Sequence, residues 1–336
     1  MAINFMLGKR KIVNFTIKDH AIRFVELKQT YPLVIQKMGE YYLPNGLIKE
    51  GKILDYDTLA TITEQCVAEW KISKRQVRFI VPDPFIVIRK VPIPKDIQED
   101  EIRGYLYMEL GSSIHLPFED PVFDFYLLDG VKDGAEESLK EILLFAAPEN
   151  MVKEYMDLLE EAKLRPIAAD ISSLAMNRLI YQHAASISSN DPYLIVQIDL
   201  QSINICIFED NIPVIMRNLY MDIDREKWNY KEKMNTYLTF DFIGEKQEVL
   251  NALKDMYSEI EKVLNFYQYS LKQGKKQVQT VYVDGDHPWL DEICKQLKGR
   301  FEIPVIKIED FLKKQLGTEL IPPQFHLNMG LGLKEV

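Results

Sequence analysis

Two turns in this chain carry side chains that could bind a phosphate group. Each lies between two apolar runs, the first within residues 12–27 and the second within residues 193–218. The candidate side chains are Thr16 and Lys18 in the first turn and Gln197, Asp199, Gln201 and Ser202 in the second. A phosphate-binding turn brings backbone N–H groups close to the anion, which glycine permits and a side chain obstructs. Neither turn contains glycine, so the layout of a phosphate site is present without its usual chemistry.

The charged residues of these turns have opposite expected effects on a bound phosphate. Lys18 could supply a positive charge to a phosphate, although a turn lysine can equally be an ordinary solvated side chain. Asp199 has the opposite charge, and so does Asp286, which follows Gly285 in a later turn. A carboxylate beside a phosphate repels it by about 1 kcal/mol even at water-like screening. We therefore predict a degenerate anion pocket.

The elements that position these turns follow a repeated pattern. Alternating apolar residues predict three consecutive strands over residues 11–17, 21–27 and 34–42. An amphipathic helix with Asp57 as its predicted N-cap follows, and then a strand over residues 75–81. The pattern starts again at Tyr193. The chain is therefore predicted to be a mixed α/β protein with two related halves.

Changes in composition divide the chain into domains. Residues 1–188 are predicted to form the first half, with a small inserted α+β subdomain over about residues 84–148 that begins in a proline-rich stretch. Residues 189–336 are predicted to form the second half, with a helical subdomain over about residues 222–275. The boundary is placed in the polar, turn-rich residues 186–192.

Composition excludes several kinds of function. The chain has 336 residues and a formal net charge of −10, which disfavours binding to nucleic acid. Cys66, Cys206 and Cys294 have no paired spacing and lie in apolar patterns, which predicts buried, reduced thiols. The five histidines are scattered, so the sequence predicts neither a metal site nor a catalytic residue.

Several segments resemble, in the same order, those of the PilM family of actin-like proteins of type IV pilus assembly, which is related in fold to FtsA. They are residues 42–53 (YLPNGLIKEGKI), 91–94 (VPIP), 144–170, 259–267 (EIEKVLNFY) and 329–334 (MGLGLK). The resemblance covers nearly the whole chain. It implies a duplicated actin-like or ribonuclease H-like ATPase fold with a small inserted subdomain.

The family's nucleotide-binding residues transfer poorly to this chain. Its first phosphate loop has an aspartate-x-glycine turn where this chain has Thr16 and Lys18, and a similar pair in the second loop is replaced by Gln197 and Asp199. Its adenosine loop is a run of glycines, of which Gly285 remains. Without an acid at position 16 or 197, Mg²⁺ lacks its usual protein anchor. We therefore expect no cofactor, with ATP and Mg²⁺ as the alternative.

The resemblance also implies a partner. We expect a non-catalytic scaffold of type IV pilus or competence-type pilus assembly that binds the cytoplasmic tail of a PilN-like membrane protein. It would stay in the cytoplasm at the inner face of the membrane through that partner and link it to the assembly complex with its motor ATPase. The tail is expected between the main and inserted domains. Cationic and aromatic side chains that could contact it, or could simply complete the small core, are Arg78, Phe85, Arg89, Tyr105 and Tyr107.

Two other functions remain open from the sequence. The first is an ATP-binding actin-like switch, in which nucleotide closes the two halves and alters affinity for the partner. The second is a sugar-kinase-like enzyme, in which Asp199 would deprotonate a substrate hydroxyl. This enzyme would also need turns whose backbone N–H groups can approach a phosphate, and both turns lack the glycine that permits this.

Overall fold

The computed structural model describes residues 12–128, 139–183, 191–233, 237–316 and 321–335. These residues form two compact units. The first contains the described residues of Met1–Pro84 and Leu158–Val336, and the second is Phe85–Asp157. The predicted boundary between residues 188 and 189 lies outside the described residues.

The first half begins with an antiparallel meander of three strands. Before the chain enters the second unit, its elements are β1 (Ile12–Ile17), β2 (Ala21–Thr30), β3 (Leu33–Tyr42), the short hairpin β4 (Ile48–Lys49) and β5 (Lys52–Ile53), helix α1 (Tyr56–Glu69) and strand β6 (Gln76–Ile80). The predicted N-cap Asp57 is wrong, because the Asp55 side chain accepts the hydrogen bond from the Thr58 backbone N–H at 3.1 Å. Asp57 is two positions after this cap, so it lies inside the first helical turn.

The second unit is a small α+β fold. Its elements are strand β7 (Val87–Pro94), helix α2 (Ile102–Glu109), strands β8 (Pro121–Leu128) and β9 (Leu139–Pro148), and the start of helix α3 (Glu149–Glu161). The three strands form an antiparallel sheet in the order β7-β9-β8. Ile93, Ile102, Leu106 and Ile142 are fully buried in its separate core. The unit ends at Asp157, within α3, whereas the sequence analysis placed its end at about residue 148.

The chain then returns to the first unit. Strand β10 (Arg165–Asp170) pairs parallel to β6, which pairs parallel to β1, and helix α4 (Ser172–His183) follows. The completed sheet has the order β10-β6-β1-β2-β3. The parallel strands β1 and β6 therefore end at the same edge of this sheet.

The second half repeats this arrangement. Its elements are strands β11 (Tyr193–Ile198), β12 (Ser202–Glu209), β13 (Ile212–Tyr220), β14 (Trp228–Lys233) and β15 (Tyr237–Phe242), helix α5 (Lys246–Asn265) with a π-helical turn (Phe266–Leu271), strand β16 (Thr280–Asp284), helix α6 (Leu290–Arg300), strand β17 (Val305–Lys307), and helices α7 (Ile308–Leu316) and α8 (His326–Gly332). The sheet order is β13-β12-β11-β16-β17.

The two large sheets confirm the predicted duplication. Reading from the last strand of each meander, the strand order is third, second, first, fourth and fifth in both halves. The segment predicted as a helical subdomain differs in detail, because the hairpin of β14 and β15 precedes α5. Trp228, Leu238 and Phe240 bury one face of this hairpin in the core of the second half.

Glycines in α8 allow the two halves to pack closely. A Cβ atom on Gly330 would lie 2.1 Å from the Ala175 carbonyl oxygen in α4, and one on Gly332 would lie 2.5 Å from the Leu27 Cδ1 atom. The three cysteines are free and buried, which confirms their predicted burial. Among the described helices, none is both long and apolar enough to cross a membrane.

Candidate functional site

The two candidate phosphate turns contact each other directly. In the turn after β1, the Lys18 backbone N–H donates to the Ala21 carbonyl at 2.9 Å, and in the turn after β11, the Asp199 N–H donates to the Ser202 carbonyl at 2.8 Å. The Lys18 ammonium donates to the Asp199 carboxylate, which also accepts from the Ser202 hydroxyl at 3.3 Å. The lysine and the aspartate of the two turns therefore neutralise each other.

Little room remains between these turns. A cavity of about 60 Å³ is lined by Thr16, Lys18, Asp199 and Ser202, together with the acids Asp19, Glu50 and Asp83. Ligand pockets in proteins usually measure roughly 300–1,000 Å³. A lining with four carboxylates and one ammonium also disfavours a phosphate.

Asp83 is a member of this site that the sequence analysis missed. Its carboxylate accepts from the Ser172 hydroxyl, which in turn accepts from the Asn204 side-chain amide at 2.7 Å. Burial of the carboxyl group raises the pKa of Asp83 to about 6, against the partial opposing effect of the Ser172 hydrogen bond. The signal was the topology, because Asp83 follows β6, and parallel strands place the residues after their carboxyl ends at one edge.

Three other predicted pocket residues take part in internal bonding or strand pairing. The buried Thr16 hydroxyl donates to Asn328 Oδ1 at 3.3 Å. The buried Gln201 side chain donates to the Ile223 carbonyl at 2.7 Å. Gln197 is buried within β11, opposite Asn204. The structure thus brings Thr16, Lys18, Asp199 and Ser202 to one cavity, while Gln201 is bonded elsewhere.

Asp286 belongs to a buried charge cluster beside the first turn. Its carboxylate accepts from Arg23 and contacts His20 Nε2 at 2.7 Å. Arg23 Nε donates to Glu40 at 2.6 Å, and Glu40 accepts from the Leu238 backbone N–H at 2.7 Å. Burial alone would raise the pKa of Asp286, but His20 and Arg23 hold it well below its usual range. The cluster joins the first half to the second through charged side chains.

Gly285 has a packing role in the loop after β16. Its φ angle is +131°, and a Cβ atom there would lie 2.0 Å from the Ile198 carbonyl oxygen at the end of β11. The same carbonyl accepts from the His287 backbone N–H at 3.1 Å. Retention of this glycine is therefore explained by the close approach of two backbones, without a nucleotide.

Arg225 adds a further contact between the halves. Its guanidinium donates to the Asp19 and Leu43 carbonyls, each at 2.6 Å, and lies 5.4 Å from the centre of the Tyr42 ring. Tyr42 stacks on Tyr230 of β14 with 4.3 Å between ring centres. Arg225 and Tyr230 thus hold the turn after β1 and the end of β3 against the second half.

The five predicted partner-binding residues lie in different surroundings. Arg78 is buried in the first unit, where it donates to the Gly332 carbonyl at 3.1 Å. In the second unit, the exposed Arg89 donates to the His115 carbonyl, and Tyr105 packs against the core. Tyr107 is 62% exposed and contacts Phe123 edge to face. Phe85 is half-buried.

A groove with two lobes lies within the second unit. The first lobe, of about 890 Å³, is lined by the end of α2, the following loop and the start of β8, including Tyr107 and Val122. The second lobe, of about 710 Å³, lies beside the first turn of α3 and includes Phe85. Both lobes are lined by Phe118, Glu119, Asp120 and Glu149. The sequence analysis did not identify this groove.

No group of three or more metal-ligating side chains is found in the described part of the chain. Deprotonation of these thiols to thiolates is also disfavoured, because burial raises the pKa of Cys66 to about 12 and that of Cys294 to about 11. Neither metal chemistry nor a reactive thiol is indicated by the described residues.

The duplicated sheets and the contacts between their first turns define an actin-like fold. The structure is similar to a PilM–PilN type IV pilus biogenesis complex, with a TM-score of 0.73, 18% sequence identity, and coverage of 96% of this chain and 98% of the other. It is also similar to the ethanolamine utilization protein EutJ from Carboxydothermus hydrogenoformans, with a TM-score of 0.50, 11% identity, and coverage of 96% and 88%.

The sequence profile of the type IV pilus assembly protein PilM matches residues 15–331. The chain therefore belongs to the PilM family of type IV pilus assembly proteins. No curated protein sequence matches it significantly.

Proposed function

We propose that this protein is a non-catalytic scaffold of type IV pilus assembly that works without nucleotide. The observation that carries the proposal is the Lys18–Asp199 ion pair between the two turns. A triphosphate would have to break this pair and enlarge a cavity of about 60 Å³. It would also meet Asp19, Glu50 and Asp83 without a metal-ligating cluster among the described residues to offset their charge.

On this proposal, the scaffold binds the cytoplasmic tail of a PilN-like membrane protein. Support comes from membership in the PilM family and from the similarity of the whole chain to a structure of a PilM–PilN complex. The protein would then act in the cytoplasm, held at the inner face of the membrane by its partner, and would connect that partner to the assembly complex with its motor ATPase. Neither a cofactor nor nucleic acid takes part.

The ATP-binding switch is the alternative. Lys18 is the feature that favours it, because its ammonium is part-exposed at the cavity and could move from Asp199 to a phosphate. That exchange would leave the Asp199 carboxylate, which is 8% exposed, without its cation, and this is unfavourable for a carboxylate that is shielded from water. The scaffold therefore explains the ion pair more directly.

A binding assay with the immobilised tail of the PilN-like protein from the same organism tests the proposal. The purified full chain should bind the tail equally well in buffer with EDTA and in buffer with ATP and Mg²⁺. Binding that requires ATP and Mg²⁺ would support the switch instead. A tail with a scrambled sequence is the control for nonspecific adhesion.

A further inference from the structure

The turn between β3 and the hairpin of β4 and β5 contains a pair of residues that can react with each other. Asn45 and Gly46 are both exposed in this turn, and Asn45 is the only asparagine of the chain that glycine follows. The backbone nitrogen of the residue after an asparagine can attack the side-chain amide. Glycine hinders this attack least, because it has no Cβ atom. The pair therefore combines both reacting groups at a site that water reaches.

The structure places these two groups side by side. The Gly46 backbone N–H donates to Asn45 Oδ1 at 3.0 Å, so its nitrogen lies beside the amide that it would attack. A separation of about 3–3.5 Å between reacting atoms is typical of a near-attack arrangement. Within the described residues, no backbone carbonyl accepts from the Gly46 N–H. This nitrogen can therefore lose its proton to solvent without breaking a backbone hydrogen bond.

The turn also has room for a cyclic intermediate, unlike a second pair that could close the same ring. Gly46 has a φ angle of +85°, and beyond its chain neighbours no atom lies within 4 Å of an added Cβ atom. In the second pair, Asp284 is buried and contacts His326 Nδ1 at 2.7 Å. An added Cβ atom on Gly285 would lie 2.0 Å from the Ile198 carbonyl oxygen. Packing thus protects the second pair and leaves the first open to reaction.

We propose that Asn45 is a site of spontaneous deamidation, with water as the co-reactant. The Gly46 nitrogen loses its proton to solvent and forms a bond to Asn45 Cγ. The bond from Cγ to Nδ2 then breaks, and ammonia leaves with a proton taken from solvent. Water opens the resulting succinimide ring. Its attack at Cγ yields aspartate, and its attack at the main-chain carbonyl carbon yields isoaspartate, in which the backbone runs through Cβ and Cγ.

Isoaspartate would change a segment that is anchored at both ends. On one side, the Leu43 carbonyl accepts from Arg225 of the second half at 2.6 Å. On the other side, the Leu47 carbonyl accepts from the Leu54 N–H at 2.8 Å. The reaction adds a carbon atom to the backbone between these anchors, and it also adds a carboxylate. The product should therefore weaken the contact between Leu43 and Arg225.

Incubation of the full-length protein in mildly alkaline buffer, followed by peptide mapping with mass spectrometry, tests the site. Asn45 should convert to aspartate and isoaspartate roughly tenfold or more faster than the exposed Asn150, because the side chain of Met151 hinders the corresponding attack. The conversion should be slower in mildly acidic buffer, since the Gly46 nitrogen must lose a proton. Conversion of Asn45 no faster than that of Asn150 would overturn the proposal.

Two variants separate the ring closure from the added charge. Asn45→Gln keeps an amide but needs a larger ring, so it should stay intact during the same incubation. Asn45→Asp adds the charge without the extra backbone carbon and, at an exposed position, should melt like the fresh wild type. The incubated wild type should contain a fraction with a lower melting temperature, which incubated Asn45→Gln lacks. An unchanged melting curve for wild type that has converted to isoaspartate would contradict the weakened contact with Arg225.

Discussion

Asp83 is the residue whose ionisation the cavity opposes. Its pKa of about 6 in the folded protein lies above the ordinary value of 3.8, so the folded chain binds this proton more tightly than the unfolded chain does. Its contribution to the free energy of unfolding is therefore complete below about pH 4 and is lost as the pH rises through 6. The ionised Asp83 carboxylate thus lowers the free energy of unfolding at neutral pH relative to a protein with an uncharged group at this position.

The variant Asp83→Asn tests this electrostatic account. Asparagine keeps a carbonyl acceptor for Ser172 and removes the charge, so we expect the free energy of unfolding to rise by about 1–2 kcal/mol at pH 8 and to change little near pH 4. Urea denaturation at both pH values measures it. The exposed Asp255→Asn is the control for removal of one negative charge. Equal destabilisation by Asp83→Asn at both pH values would contradict the account.

Single residues also show what the sequence could not reveal. The types of Lys18 and Asp199 indicated a degenerate phosphate site, but their ion pair joins residues 181 positions apart in the chain. Nothing in either local pattern specifies that contact. The contacts of Asp286 were also unpredictable from the sequence, because its partners His20 and Arg23 belong to the other half. Charged residues within the apolar strand β2 were the only local sign that Arg23 is buried with partners.

The loop after β16 depends on Gly285 for packing. The variant Gly285→Ala should lower the free energy of unfolding by about 2–4 kcal/mol, because it places a Cβ atom against the Ile198 carbonyl at a positive φ angle. Thermal or urea denaturation measures the loss. If Gly285 were retained for nucleotide binding alone, stability would not change.

Gly299 provides the matched control. It lies in α6 with no atom within 4 Å of an added Cβ. Gly299→Ala should therefore stabilise the protein by roughly 0.5–1 kcal/mol through helix propensity. A loss of stability in Gly299→Ala as large as that in Gly285→Ala would show that the packing argument is wrong.

Elements with a strong apolar period were predictable. The strands β1, β2 and β3 and the amphipathic helix α5 followed from alternation and helical spacing. The hairpin of β14 and β15 was missed because its first strand, WNYKEK, has few apolar residues and its Asn229 and Lys231 are exposed. Its burial depends on Trp228 and on the partner strand, through contacts that the local sequence does not display.

The duplicated architecture of the whole molecule was predictable because each half repeats the same order of elements. Its surface was not. The groove of the second unit combines Tyr107 of α2, Phe118 of a loop and Val122 of β8, which come together only when the unit folds. The closed contact between the two first turns likewise depends on how the halves meet. The fold agrees with membership in the PilM family. The proposal of a function without nucleotide depends on the contact between Lys18 and Asp199.

Isothermal titration calorimetry tests the central claim most directly. ATP with Mg²⁺ is titrated into the purified full chain, and the cytoplasmic tail of the PilN-like partner is then titrated into the same cell. We predict no saturable heat from ATP, because Lys18 and Asp199 neutralise each other and the cavity between the turns is small. The tail should then bind at micromolar strength. Saturable binding of ATP that changes the affinity for the tail would contradict the account and establish the switch.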